Sequence, residues 1–227
     1  MKIVVTGAVQ SGKSSYINFF DKEALNVQVK GQNNLSYTVA MDLGFVKING
    51  FEVYLFGTPG LLRFRVMSEV VCRGADGFIF MFDAADPDKD GDAISILNII
   101  RKSSNHDIPI VFLANKQDLE NARSPEIIKA QNSLPEDSTF FSTSNKTGLN
   151  IEKSLRFVVN EIFDKHEELI QVLMNYENDI KGLAERLKKN KEQMKDFLNT
   201  MELKRFIEID RKQKIYRVRE GLKKVII

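Results

Sequence analysis

Gly7-Ala8-Val9-Gln10-Ser11-Gly12-Lys13-Ser14 constrains this chain more than any other stretch. It has the form GxxxxGKS and directly follows Lys2-Ile3-Val4-Val5-Thr6, a short apolar run rich in β-branched residues. A strand, a glycine loop and then a helix over Ser14–Phe20 is the context in which this pattern binds phosphate. The glycines let the backbone wrap closely around a di- or triphosphate. The N–H groups at the start of the helix point at the anion, and the helix dipole favours negative charge there. The expected contacts run through Gly7, Gln10, Ser11, Gly12, Lys13, Ser14 and Ser15. Lys13 would reach the β- and γ-phosphates, and the Ser14 hydroxyl would coordinate Mg²⁺.

The base is addressed by a second segment. Asn115-Lys116-Gln117-Asp118 follows the apolar run Ile108–Leu113. A carboxylate accepts hydrogen bonds from the N1–H and N2–H₂ of guanine, whereas adenine offers the wrong pattern at that edge. Asp118 is placed to do this, the Lys116 stem to lie along the ring, and Asn115 to tie this loop to the phosphate loop. A third segment, Ser142-Thr143-Ser144-Asn145-Lys146-Thr147-Gly148, follows the short strand at 139–141 and precedes a helix at Leu149–Phe163. A backbone N–H at this turn and Lys146 are candidates for contact with the guanine O6, and Ser144 and Asn145 belong to the same loop.

On these segments, together with Thr38-Val39-Ala40-Met41-Asp42-Leu43-Gly44 and the turn Thr58-Pro59-Gly60, residues 1–164 resemble a Ras-like small GTPase. The likeness is nearest to prokaryotic members with VAMD and LFGTPG segments. It implies a three-layer P-loop α/β domain with a mostly parallel sheet, GTP and GDP as ligands, Mg²⁺ as the metal, and GTP hydrolysis as the reaction. It also implies a switch threonine that binds Mg²⁺ and the γ-phosphate, for which Thr38 is the candidate, with Ser36 or a plain strand threonine as alternatives. Gly60 would offer its N–H to the γ-phosphate. An activating or exchange protein is an implied partner.

The family pattern is broken in two places. The aspartate that usually holds Mg²⁺ through a water is Gly57, so metal affinity is weaker or another carboxylate substitutes. The position of the water-orienting glutamine is Leu61, which cannot hydrogen-bond a water. Slow intrinsic hydrolysis is therefore expected. Arg63 and Arg65 are either charge stabilisers or ordinary surface residues. The stretch from Asp21 to Ser36 is expected to be a loop. The acidic stretch Asp83, Asp86, Asp88, Asp90 and Asp92 lacks the terminal glutamate of a calcium loop and is expected to be solvated.

About sixty residues follow, expected as a second domain at 165–227. Apolar residues recur at three- and four-residue spacings over Glu167–Met174, Ile180–Leu187 and Glu192–Met201, marking three helix faces, with Asn190 as an N-cap. The period then changes to two in Arg205–Ile209 and Lys214–Val218, which predicts a hairpin. Three short helices and a two-stranded wing resemble a winged helix-turn-helix domain. The competing reading is a helical extension or coiled coil. This segment holds 16 Lys and Arg against 11 Asp and Glu, a net +5, whereas residues 1–164 hold 17 against 20, a net −3. A basic module suits DNA. However, Glu192 and Asp196 lie in the proposed recognition helix, and carboxylates facing phosphates are unfavourable. Protein and DNA therefore both stand as partners of residues 165–227.

A single cysteine, Cys72, excludes an internal disulfide and suits a reducing, cytoplasmic setting. No apolar run is long enough for a signal peptide or a membrane span, and no terminal cysteine offers a prenylation site, so no membrane anchor is expected.

Overall fold

The computed structural model describes residues 1–25, 28–30, 36–38, 41–48, 50–60, 65–103 and 107–223. The chain divides into two compact units. One holds residues 2–46 and 54–160; the other holds Met1, residues 47–53 and residues 161–227.

The β-branched and aromatic runs of the first unit become parallel strands. β1 (Lys2–Gly7) pairs with β5 (Phe51–Gly57) on one side and β6 (Gly77–Asp83) on the other. β7 (Ile110–Asn115) and β8 (Phe140–Ser142) continue the parallel sheet, and β4 (Asp42–Ile48) forms its far edge, in the order β4-β5-β1-β6-β7-β8. Only two residues separate β4 from β5, so this pair can only run antiparallel. Side chains on a strand alternate between faces. Phe78, Phe80 and Phe82 of β6 therefore enter one buried cluster with residues of α2 (Arg65–Cys72), α3 (Asp90–Ser103) and α4 (Pro125–Gln131). Ile79 and Met81 are equally buried on the other face. Both faces of β6 are thus covered, which is why it reads as a continuous apolar run.

α1 (Lys13–Phe20) follows the phosphate loop at once. Its Tyr16 hydroxyl lies 3.0 Å from Ser154 Oγ on α5 (Ile151–Asn175). In the stretch expected to be a loop and just beyond it, β2 (Gln28–Lys30) and β3 (Ser36–Thr38) form a short antiparallel ladder with Gln28 opposite Thr38.

α5 corrects an expectation. The helix expected to end at Phe163 and the amphipathic stretch beginning at Glu167 are one helix of 25 residues. No Gly or Pro lies between Ile151 and Asn175, and the apolar positions stay in phase, so nothing stops the helix.

In the second unit, α6 (Ile180–Arg186) and α7 (Lys191–Leu203) precede a hairpin of β9 (Ile207–Asp210) and β10 (Ile215–Val218), and α8 (Glu220–Lys223) follows. Asn190 caps α7 through a capping box, accepting from the Gln193 N–H at 2.9 Å while Gln193 Oε1 accepts from the Asn190 N–H at 3.1 Å. Phe51 is buried in this unit, its ring 5.2 Å from that of Phe163 and 6.1 Å from that of Phe206.

Candidate functional site

The phosphate loop spans the end of β1 and the start of α1. Gly7 ends the strand and Gly12 sits at the helix N-cap with φ 103°, in the left-handed region. A side chain at Gly12 would collide with the amides of Asn115 and Asn145. Lys13 is buried, and its ammonium donates to the Ala8 carbonyl at 2.7 Å. Burial pushes its pKa down to about 8, with Asp42 pulling the other way. Ser11 is buried with its Oγ unpartnered among the described residues, Gln10 has φ 61°, and Ser15 is exposed one residue beyond Ser14 on α1.

The two further loops close on this one. Asn115 Nδ2 donates to the Ser11 carbonyl at 2.8 Å, and Asn145 Nδ2 donates to the Gly12 carbonyl at 2.8 Å. Asp118 Oδ1 accepts from Ser144 Oγ at 2.6 Å. That hydroxyl holds the Asp118 carboxyl below the usual carboxylate range, leaving an ionised acceptor at the end of the site. Lys146 is less committed: its ammonium lies 3.8 Å from Asp118 Oδ2, and its side chain is 79% exposed. Lys116, with φ 73°, places its ammonium 2.6 Å from Asp83 Oδ2.

Gly60 packs against the phosphate loop. A Cβ at Gly60 would lie 2.6 Å from the Val9 nitrogen and 2.7 Å from Lys13 Nζ, so only glycine permits this approach. Thr58 anchors the turn from behind, its hydroxyl 2.9 Å from that of Thr6. Thr38 lies in β3, but its side chain and that of Ser36 lie outside the described residues, as do Leu61, Arg63 and the Arg65 side chain.

Asp42 was missed as a site residue. It opens β4, is 1% exposed, and accepts from Ser14 Oγ at 2.7 Å through Oδ2. Its Oδ1 is buried and has no hydrogen-bond partner among the described residues. Burial raises its pKa, while Ser14 and Lys13 lower it. Asp42 fills the space a side chain at Gly57 would need, since a Cβ there would sit 2.8 Å from Asp42 Oδ2. The signal in the sequence was Gly57 itself: an aspartate removed from one strand leaves room for a carboxylate from its neighbour.

The acidic stretch differs from expectation at Asp83 and Asp90, whereas Asp88 and Asp92 are exposed as expected. Asp83 is buried and carries Lys116 and Lys89, and Asp90 pairs with Arg123 at 2.6 Å. Those partners lie up to 33 residues away, beyond what local composition reveals.

A phosphate loop on a mostly parallel sheet, with an asparagine-tied loop and an acceptor carboxylate converging on it, defines a P-loop GTPase. The model of the Ras family matches residues 2–164, and the chain belongs to that family. Proteins of this family are GTP-binding switches and GTPases that use Mg²⁺ as the usual ion. Among the described residues no helix is long and apolar enough to cross a membrane.

Proposed function

We propose that this chain is a guanine-nucleotide switch that hydrolyses GTP slowly and passes its nucleotide state to a winged-helix-like output module, residues 165–227, which binds a protein partner. The observation that carries this reading is the β4–β5 hairpin. Its open end starts at Asp42 beside Ser14 and finishes at Gly57, next to the Thr58–Gly60 turn. Its closed end, residues 47–53, belongs to the unit formed by residues 161–227. Residues of one hairpin thus belong to both units.

In this reading Gly7, Gln10, Ser11, Gly12, Lys13, Ser14 and Ser15 hold the phosphates. Asn115, Lys116, Asp118, Ser144, Asn145 and Lys146 form the guanine side of the site. The donor set suits a hard cation: a hydroxyl and a carboxylate with a free buried oxygen. Ser14 and Thr38 would hold Mg²⁺, with Asp42 taking the part of the missing aspartate. The ion would neutralise phosphate charge. Thr38 and Gly60 would order around the γ-phosphate and release with GDP. Leu61 provides no hydrogen bond to a water, which favours slow turnover. Val66 and Val70, 74% and 57% exposed one turn apart on α2, offer a regulator an apolar surface.

The order α6, α7, β9, β10 supports the winged-helix reading of the output module. Exposed Lys212, Lys214 and Arg217 on the β9–β10 hairpin favour a second reading, a GTP-gated DNA-binding regulator. Exposed Glu192 and Asp196 on α7 weigh against it. The test is hydrogen exchange on protein loaded with GDP or with a non-hydrolysable GTP analogue. Changed protection in residues 47–53 and 206–222 is expected, and identical protection in both states would sink the coupling. Salt-sensitive, nucleotide-dependent anisotropy of labelled duplex DNA would favour the second reading.

A further inference from the structure

Lys89 belongs to none of the three segments that form the site, yet it is attached to the phosphate loop. It ends a short 3₁₀ turn, Pro87–Lys89, directly before α3. Its ammonium donates to the side-chain oxygen of Gln10 at 3.1 Å and lies 2.9 Å from Asp86 Oδ2 and 3.4 Å from Asp83 Oδ2. The side chain is 20% exposed, so the charge is held in place.

Two features indicate that this cation serves more than its own turn. Asp83 already pairs with Lys116 at the shorter distance of 2.6 Å, so the carboxylate does not need Lys89 for neutrality. Lys89 is also hydrogen-bonded to Gln10, which lies three residues before Lys13 in the phosphate loop. A cation held at a glycine loop, with Asp86 and Asp83 already beside it, still attracts a further anion bound at that loop. A polyphosphate provides that anion. Gln10 contributes the aim: its left-handed backbone belongs to the loop that wraps the phosphates, and its side-chain oxygen holds the ammonium there.

We propose that Lys89 is a second cation of the phosphate site, delivered in cis by the turn before α3 and held at the loop by Gln10, and that it contributes to binding di- and triphosphates but not monophosphates. This rests on the guanine-nucleotide reading of the site. The chemistry is that of a charge-assisted hydrogen bond from an ammonium to a phosphate oxygen, direct or through the Gln10 amide. Asp83 then connects the two ends of the site, because one carboxylate holds both the lysine of the base loop and the lysine at the phosphate loop.

The experiment uses the full chain and labelled GDP, displaced in turn by GMP, GDP and GTP. In Lys89→Met, affinity for GDP and GTP should fall roughly ten- to a hundredfold, the worth of one charge-assisted bond, while affinity for GMP stays unchanged. Lys89→Arg should restore most of the loss, and Gln10→Met combined with Lys89→Met should lose little beyond the lysine change alone. Equal losses for all three nucleotides would overturn the proposal and assign Lys89 to support of the base loop through Asp83. Unchanged affinities, with or without a lowered melting temperature, would overturn it as well. If Lys89→Met does not fold, Lys89→Gln and Gln10→Met are read by the same GDP-to-GMP ratio. A wild-type chain that bound no guanine nucleotide would instead defeat the underlying reading.

Discussion

Asp42 stands where a side chain on Gly57 would have to go: a Cβ on Gly57 would meet Asp42 Oδ2 at 2.8 Å and Asp42 Cβ at 2.9 Å. The two strand positions are therefore exclusive, and one carboxylate serves the space. Asp42→Asn keeps the shape and removes the charge. It should weaken the Mg²⁺ dependence of nucleotide retention by about ten- to a hundredfold, the usual effect of an outer-shell ligand. Titration of Mg²⁺ against release of labelled GDP measures this. Gly57→Asp alone should not help, because two carboxylates would crowd one site, whereas the exchange Asp42→Gly with Gly57→Asp should recover much of the loss. A wild-type Mg²⁺ response in Asp42→Asn would remove Asp42 from the metal account.

Hydrolysis gives a second prediction. Leu61→Gln restores a group able to orient water, and single-turnover hydrolysis should rise on the order of tenfold. An unchanged rate would show that Leu61 is not the missing part.

The hairpin tip gives a third. Phe51 is 2% exposed, with Phe163 and Phe206 around it. Phe51→Ala should cost about 3–5 kcal/mol in the unit that contains residues 161–227. Denaturant unfolding followed by a probe in α7 measures it, and a loss below about 1 kcal/mol would show that the tip is not part of that core.

These predictions mark where sequence was sufficient and where it was not. The turn at Gly12 and the tie from Asn115 to the phosphate loop were legible because each is fixed by local chemistry: a positive φ and an amide able to donate. Asp42 was not, because its role depends on which residue lies across from Gly57 in the neighbouring strand, and that is a matter of register. Asp83 read as a solvated loop residue because its lysines come from other segments. The length of α5 was misjudged because the resemblance placed a domain end near residue 164, while residues 161–175 contain no stop signal. The hairpin at 207–218 was legible because Ile207-Glu208-Ile209 and Tyr216-Arg217-Val218 alternate apolar and charged residues on either side of a polar turn.

Cys72 tests the packing of α2. Burial pushes its thiol up to about 11 from 9.0, so the folded state favours the neutral form. Its stabilising contribution is complete below pH 9 and is lost as pH rises through about 11. At pH 8.5 iodoacetamide should label the native protein slowly and the denatured protein promptly, since the thiolate is the reactive species. Equal rates would mean that the site opens readily.

The central claim is best tested by competition on the full chain. Labelled GDP, in the presence of Mg²⁺, is displaced by GTP, GDP, ATP and ADP in turn. On the proposed reading Asp118 selects guanine by hydrogen-bond pattern, so guanine nucleotides should displace the label at concentrations at least about a hundredfold lower than adenine nucleotides, and chelation of Mg²⁺ should speed release. Displacement by ATP as effective as by GTP, or no retention of labelled GDP at all, would contradict the account.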